Sequence, residues 1–159
     1  MLYNLLFPLA DEYQFFNLFR YLTFRTGGAV ITALIVSFLF GPVIIEMLKS
    51  RQQGGQPIRE DGPESHLLTK KGTPTMGGLL ILIALGSATL LWSDLSNRFV
   101  WAALGVTMAF GLIGFLDDYM KVSKRDSNGM SSKMKFFMQV VIAALATFWI
   151  LQQMPPELA

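Results

Sequence analysis

The sequence contains no cysteine and little charge. The absence of cysteine excludes disulfide frameworks, thiolate metal sites and cysteine nucleophiles. Charged residues make up 15% of the 159 residues, whereas soluble domains average about 25%. Hydrophobic residues make up 52% of the sequence, which excludes a disordered chain. The net charge of +2 is too small for a nucleic-acid binder. An ordinary soluble domain is therefore excluded as well.

Long uncharged apolar windows are the main feature that is present. A bilayer core of about 30 Å requires a helix of about 20 apolar residues. Four windows come close to this length without charge: about 26–45, 74–92, 99–116 and 136–154. We therefore predict an all-α, polytopic integral membrane protein with four transmembrane helices in this chain. Residues 1–24 are predicted to form an interfacial helix, and residues 46–73 and 117–135 two loops.

The cations are sorted between the two sides of these windows. Each long loop carries five Lys or Arg residues, and only Arg20, Arg25 and Arg98 lie on the opposite side. By the positive-inside rule, both loops are predicted to be cytoplasmic and both ends of this chain to lie outside.

Two adjacent carboxylates, Asp117 and Asp118, directly follow the third window. Such a pair is costly, because each group loses water and the two repel one another. A divalent metal such as Mg²⁺, which prefers oxygen ligands, or a lysine such as Lys121 would offset the charge. The alternative is that the pair merely marks the water boundary.

A second candidate site precedes the second window. Thr73 and Pro74 are typical of a helix start, with Thr73 as the N-cap and Pro74 at the first helical position. Because Lys70 and Lys71 lie just ahead, the free backbone N–H groups of this helix start could bind phosphate. The alternative is an ordinary capped helix with basic flanks. The single histidine, His66, is more often a surface residue than a catalytic base.

Three runs of residues carry a resemblance to a known family. They are Asp61-Gly-Pro-Glu-Ser-His66, Lys70-Lys71-Gly-Thr-Pro-Thr-Met-Gly-Gly78, and Gly114-Phe-Leu-Asp117-Asp118-Tyr119 followed by Lys121. Together they closely resemble the phospho-N-acetylmuramoyl-pentapeptide transferase family. The run Tyr21-Leu-Thr-Phe-Arg25 before the first window also resembles it, so the likeness covers nearly the whole chain.

The resemblance implies an enzyme of the bacterial inner membrane with its active face in the cytoplasm. Such an enzyme transfers phospho-N-acetylmuramoyl-pentapeptide from its uridine diphosphate carrier to undecaprenyl phosphate. The products are the lipid-linked peptidoglycan precursor lipid I and uridine monophosphate, and Mg²⁺ is required. The implied partners are these two substrates, membrane lipid and a second copy of the full-length protein.

The resemblance also implies roles for individual residues. Asp117 and Asp118 would be the catalytic pair and lie near the metal, with their individual roles left open. Lys70 and Thr75 would help to form the nucleotide-substrate site. Lys121 and Lys133 would hold phosphates or the uridine portion.

Two other functions remain open from the residues. One is a related transferase that uses N-acetylglucosamine phosphate, although the run from Gly72 to Gly78 favours the muramoyl enzyme. The other is a non-enzymatic four-helix module that binds anionic lipid or carries ions with the same lysines and carboxylates.

The length sets one further expectation. Family members have about ten membrane helices, with another essential aspartate and a histidine-rich motif in the second half. We therefore expect this sequence to be an amino-terminal fragment that does not catalyse the transfer alone.

Overall fold

A computed structural model describes residues 1–52, 75–124 and 129–153. Every regular element in these ranges is a helix, which confirms the predicted all-α class. Lys70, His66 and the predicted helix start at Thr73 and Pro74 lie outside the described residues.

In the described ranges four helices of 15 or more residues follow a short amino-terminal helix α1. The helices are α1 (Leu2–Leu6), α2 (Leu22–Arg51), α3 (Gly78–Trp92), α4 (Arg98–Lys124) and α5 (Ser132–Gln153). In the described ranges α2, α4 and α5 are long and apolar enough to cross a membrane. The 15-residue α3 is apolar but shorter, about 22 Å long at 1.5 Å per residue. The fold is that of a polytopic membrane protein with about four spans.

The long helices extend beyond the apolar windows into both predicted loops. α2 continues to Arg51, α4 continues to Lys124, and α5 begins at Ser132. Hydropathy locates only the apolar part of a helix, whereas the backbone hydrogen bonds continue through polar residues. Lysine or arginine in the last turns of α2 and α4 also interacts favourably with the negative end of each helix dipole.

The described helix α3 begins at Gly78, whereas the second apolar window begins at about residue 74. The backbone N–H and C=O of Thr75 are both hydrogen-bonded to the side chain of Gln52. Met76 has φ of 72°, in the left-handed region that a right-handed helix cannot contain. Because of these two constraints, the helix starts after Met76.

The amino-terminal segment is three short helices rather than the single helix that we predicted. α1 is followed by 3₁₀ helices at Phe7–Asp11 and Gln14–Arg20. The side chain of Asn4 donates to Asp94 Oδ1 at 2.9 Å and accepts from the N–H of Leu95 at 3.1 Å. These bonds attach α1 to the turn between α3 and α4.

Each long helix of the described ranges packs against the next, and the contacts between their ends show that neighbours run antiparallel. At one end Trp92 Nε1 donates to Thr32 Oγ1 at 2.8 Å, and Arg98 is hydrogen-bonded to Gln153. The opposite end carries Asp117, which lies near the start of α5. Asp117 and Asp118 therefore share one end of the bundle with the last residues of α2, and we call it the site end.

Gly28 offers a test of the packing between α2 and α3. A Cβ at Gly28 would overlap the ring of Trp92, whereas one at Gly27 would meet nothing within 4 Å. We expect Gly28→Ala to destabilise the fold by about 1–3 kcal/mol, the usual cost of overpacking. Gly27→Ala is the matched control and should be neutral or slightly stabilising, because alanine favours helix.

Denaturant titration of each variant in detergent micelles measures the free energy of unfolding. Equal stability of the Gly28→Ala and Gly27→Ala proteins would contradict the packing of Trp92 on α2.

Candidate active site at the end of the helices

Asp117 is surrounded by donors. Its side chain is 7% exposed, and Oδ2 lies 2.8 Å from Lys121 Nζ and 2.9 Å from Lys135 Nζ. The other oxygen, Oδ1, accepts a hydrogen bond of 2.9 Å from the backbone N–H of Met130. Two cations and one backbone donor favour the ionised carboxylate and offset its loss of water.

These contacts join three parts of the chain. Lys121 follows Asp117 by one turn of α4, and Lys135 lies in the first turn of α5. Met130 follows Gly129, whose φ of 62° lies in the left-handed region. A Cβ at Gly129 would lie 2.7 Å from Asp117 Oδ1 and 2.8 Å from Lys121 Cε. Glycine is therefore required there for both backbone conformation and space.

Asp118 is less enclosed than Asp117. Its side chain is 30% exposed, and Oδ1 lies 3.3 Å from Lys121 Nζ. Oδ2 accepts a hydrogen bond of 2.9 Å from the hydroxyl of Thr75. A carboxylate has about four lone-pair sites, so Asp118 can accept from, or coordinate, a further group.

Both carboxylates lie at one end of a groove between α3 and α4. The cavity has a volume of about 370 Å³ and is lined mainly by apolar side chains, among them Met76, Leu79, Leu82 and Phe115. Gly111 packs directly against Leu82, so the helices approach closely beside it. An apolar groove with charged groups at its end is suited to an amphiphilic ligand.

The structure brings together four of the six residues that the resemblance implied. Thr75, Lys121 and the two aspartates are in direct contact. Lys133 lies on α5, but no ion pair joins it to either aspartate in the ranges that are described. Lys70 lies outside those ranges, so its role stays a prediction.

Sequence reasoning missed three contributors to the site. Gln52 has no motif around it and is recognisable only through its contact with Thr75. Lys135 was one cation among several in its loop, and its spacing from Asp117 carries no helical signal. Gly129 is the exception, since a glycine between two helices could have indicated a left-handed turn.

The two carboxylates differ in their suitability for a metal ion. Within the described ranges no three His, Asp or Glu side chains cluster as metal ligands. Asp117 Oδ2 is already shared by two ammonium groups, which oppose a third cation. Asp118 fits better, because Mg²⁺ commonly uses one or two protein carboxylates together with water and substrate phosphates.

Fold and site together define a class: an all-helical polytopic membrane protein with a lysine-neutralised aspartate pair at one end of its helices. Comparison with known proteins then gives the particular family. Residues 70–82 match the phospho-N-acetylmuramoyl-pentapeptide-transferase signature 1.

Curated proteins named phospho-N-acetylmuramoyl-pentapeptide-transferase are similar over nearly the whole chain. The one from Granulibacter bethesdensis is 61% identical over 95% of this chain and 42% of its own length. Those from Ruegeria sp. and Gluconobacter oxydans are 57% and 52% identical, over 94% and 99% of this chain. The resemblance to this family is therefore confirmed. The chain spans about two fifths of the length of these relatives.

The conformation of Gly129 gives a test of the site's assembly. We expect Gly129→Ala to lower the free energy of unfolding by about 1–3 kcal/mol, because alanine is strained at positive φ and its Cβ would displace Asp117. Gly105→Ala on α4 is the matched control, since a Cβ there meets nothing within 4 Å. Denaturant titration in micelles measures both variants. Full stability of the Gly129→Ala protein would contradict the described contact.

Proposed function

We propose that this chain supplies the aspartate pair of an enzyme that makes lipid I. The reaction is the transfer of phospho-N-acetylmuramoyl-pentapeptide from its uridine diphosphate carrier to undecaprenyl phosphate. The observation that carries this proposal is the identity of 51–61% with transferases of that name, over 94–99% of this chain. Their names favour neither the N-acetylglucosamine enzyme nor a non-enzymatic module.

The bond changes define what the site must do. An oxygen of the lipid phosphate attacks the sugar-bearing phosphorus of the nucleotide substrate. The bond between that phosphorus and the bridging oxygen breaks, and uridine monophosphate leaves with the bonding electrons. The site must therefore bring two anions together and orient the attacking oxygen.

We assign different roles to the two aspartates. Asp118 is the more exposed, and it lies at the end of the apolar groove. We propose that it orients the lipid phosphate and accepts its proton if one is present. Asp117 already holds two lysines and a backbone N–H, so its role is to position Lys121 and Lys135.

Cations are needed because carboxylates and phosphates repel one another. Lys121 contacts both aspartates and lies where an incoming phosphate would meet them. Asp118 is the residue best placed to hold Mg²⁺ together with substrate phosphates. When bound, that ion would neutralise the charge that develops on the diphosphate. Lys70, Thr75 and Lys133 remain proposed contacts to the nucleotide substrate.

The orientation and assembly follow from the same proposal. The protein resides in the bacterial inner membrane, with residues 46–73 and 117–135 facing the cytoplasm and both ends of this chain facing the periplasm. The proposal for orientation is supported by the five cations that each of these segments carries. A homodimer of the full-length protein is proposed from the resemblance alone.

Transfer by the full-length protein tests this function. In vesicles that contain undecaprenyl phosphate, we expect radiolabel to move to lipid from UDP-N-acetylmuramoyl-pentapeptide but not from UDP-N-acetylglucosamine. Chelation of Mg²⁺ should abolish the transfer. Labelling only from the acetylglucosamine nucleotide would overturn the proposal.

The same assay separates the two aspartates. We expect Asp118→Asn to lower kcat by about 100-fold or more, the effect of losing a positioned acid–base group, with little change in stability. Asp117→Asn should lower the thermal stability as well as kcat, because it weakens the contacts with both lysines. Wild-type kcat in the Asp118→Asn protein would contradict the assignment.

A further inference from the structure

Gln52 is the C-cap residue of α2, and it is buried at the site end. It follows α2 directly, and its backbone N–H donates to the carbonyl of Leu48 at 3.0 Å. The residue is 5% exposed, and only Gln52 and Asp117 are buried polar residues in the described ranges. Burying an amide costs free energy unless it is hydrogen-bonded, so the side chain of Gln52 is expected to have partners in the protein.

The side-chain amide of Gln52 pairs with the backbone of Thr75. Its Oε1 accepts from the N–H of Thr75 at 2.9 Å, and its Nε2 donates to the carbonyl of Thr75 at 3.2 Å. Thr75 precedes α3 and is followed by Met76 in the left-handed region. The two bonds therefore fix a residue whose backbone is outside the helix.

Thr75 in turn contacts Asp118. Its hydroxyl donates to Asp118 Oδ2 at 2.9 Å, and this contact is partly buried. The backbone position of Thr75 determines where its hydroxyl lies, and the amide of Gln52 determines the backbone position. A continuous series of hydrogen bonds thus joins the end of α2 to the carboxylate at the groove.

We propose that Gln52 is a positioning residue for Asp118 and that it acts through Thr75. This inference rests on the proposed function, in which Asp118 orients the lipid phosphate. In the described ranges no hydrogen bond joins Gln52 to Asp118, and Gln52 is not among the residues that line the groove. It matters because a small displacement of a catalytic group sharply lowers the rate of reaction.

The chemistry of the side chain explains why an amide is required. Glutamine supplies one acceptor and one donor, which match the N–H and C=O of a single residue. Leucine has a similar volume but would leave both backbone groups of Thr75 without these partners. Glutamate would keep the acceptor and lose the donor.

Steady-state kinetics of the full-length protein test the proposal. We expect Gln52→Leu to lower kcat roughly tenfold, with KM for both substrates changed less than about twofold. Ser50→Ala is the matched control, because Ser50 is exposed in the same last turn and its hydroxyl bonds only the carbonyl of Met47 in the described ranges. The control should keep wild-type kcat.

A double-mutant cycle distinguishes positioning through Thr75 from a general loss of structure. If Gln52 acts through the hydroxyl of Thr75, adding Gln52→Leu to Thr75→Val should produce no further fall in kcat. In a Thr75→Ser background, which keeps the hydroxyl, the tenfold effect should remain. An equal fall in kcat in both backgrounds, or a change in KM alone, would overturn the proposal.

A milder variant covers the case in which Gln52→Leu protein does not accumulate in the membrane. Gln52→Glu keeps one of the two bonds, so its kcat should lie between those of wild type and the Thr75→Val protein. Wild-type kcat in the Gln52→Glu protein would then overturn the proposal.

Different results would contradict the proposed role of Asp118 and that of Gln52. If Asp118→Asn keeps its activity, the proposed role of Asp118 is wrong and this inference falls with it. If Asp118→Asn is inactive while Gln52→Leu keeps wild-type kcat, only the role of Gln52 is wrong.

Discussion

A carboxylate that is removed from water needs hydrogen-bond donors or cations in the protein. At the site end this requirement applies to Asp117, and it determines how the surrounding elements are arranged. Lys121, Lys135 and the N–H of Met130 all converge on it. Because these donors come from α4, the segment before α5 and α5 itself, one charge fixes the relative positions of two helices. The positive φ of Gly129 is needed to bring the N–H of Met130 into that arrangement.

The division of function that we propose for the two aspartates follows from this constraint. Since Asp117 is occupied by its donors, the adjacent Asp118 has the remaining capacity for a ligand. Thr75 donates to Asp118 and is itself bonded to Gln52, so hydrogen bonds join the end of α2 to Asp118. The different roles that we propose for these two neighbouring carboxylates rest on the difference between their surroundings.

The sequence predicted the helical class and the approximate spans, because hydropathy and charge act locally along the chain. It also identified Asp117, Asp118 and Lys121, whose spacing on one helix brings them together. It could not predict the partners contributed by other helices, such as Gln52 and Lys135, because those contacts depend on tertiary packing. The contact of Gln52 with Thr75, just ahead of α3, depends on tertiary packing in the same way.

The coupling between Asp117 and Lys135 tests most directly whether this charge organises the site end. The measurement is a double-mutant cycle on the free energy of unfolding in micelles, with Asp117→Asn, Lys135→Gln and the double variant. We predict a coupling energy of about 1 kcal/mol or more, because the contribution of each residue to the free energy of unfolding depends partly on the other. Effects that add to within about 0.3 kcal/mol would contradict the central role of Asp117.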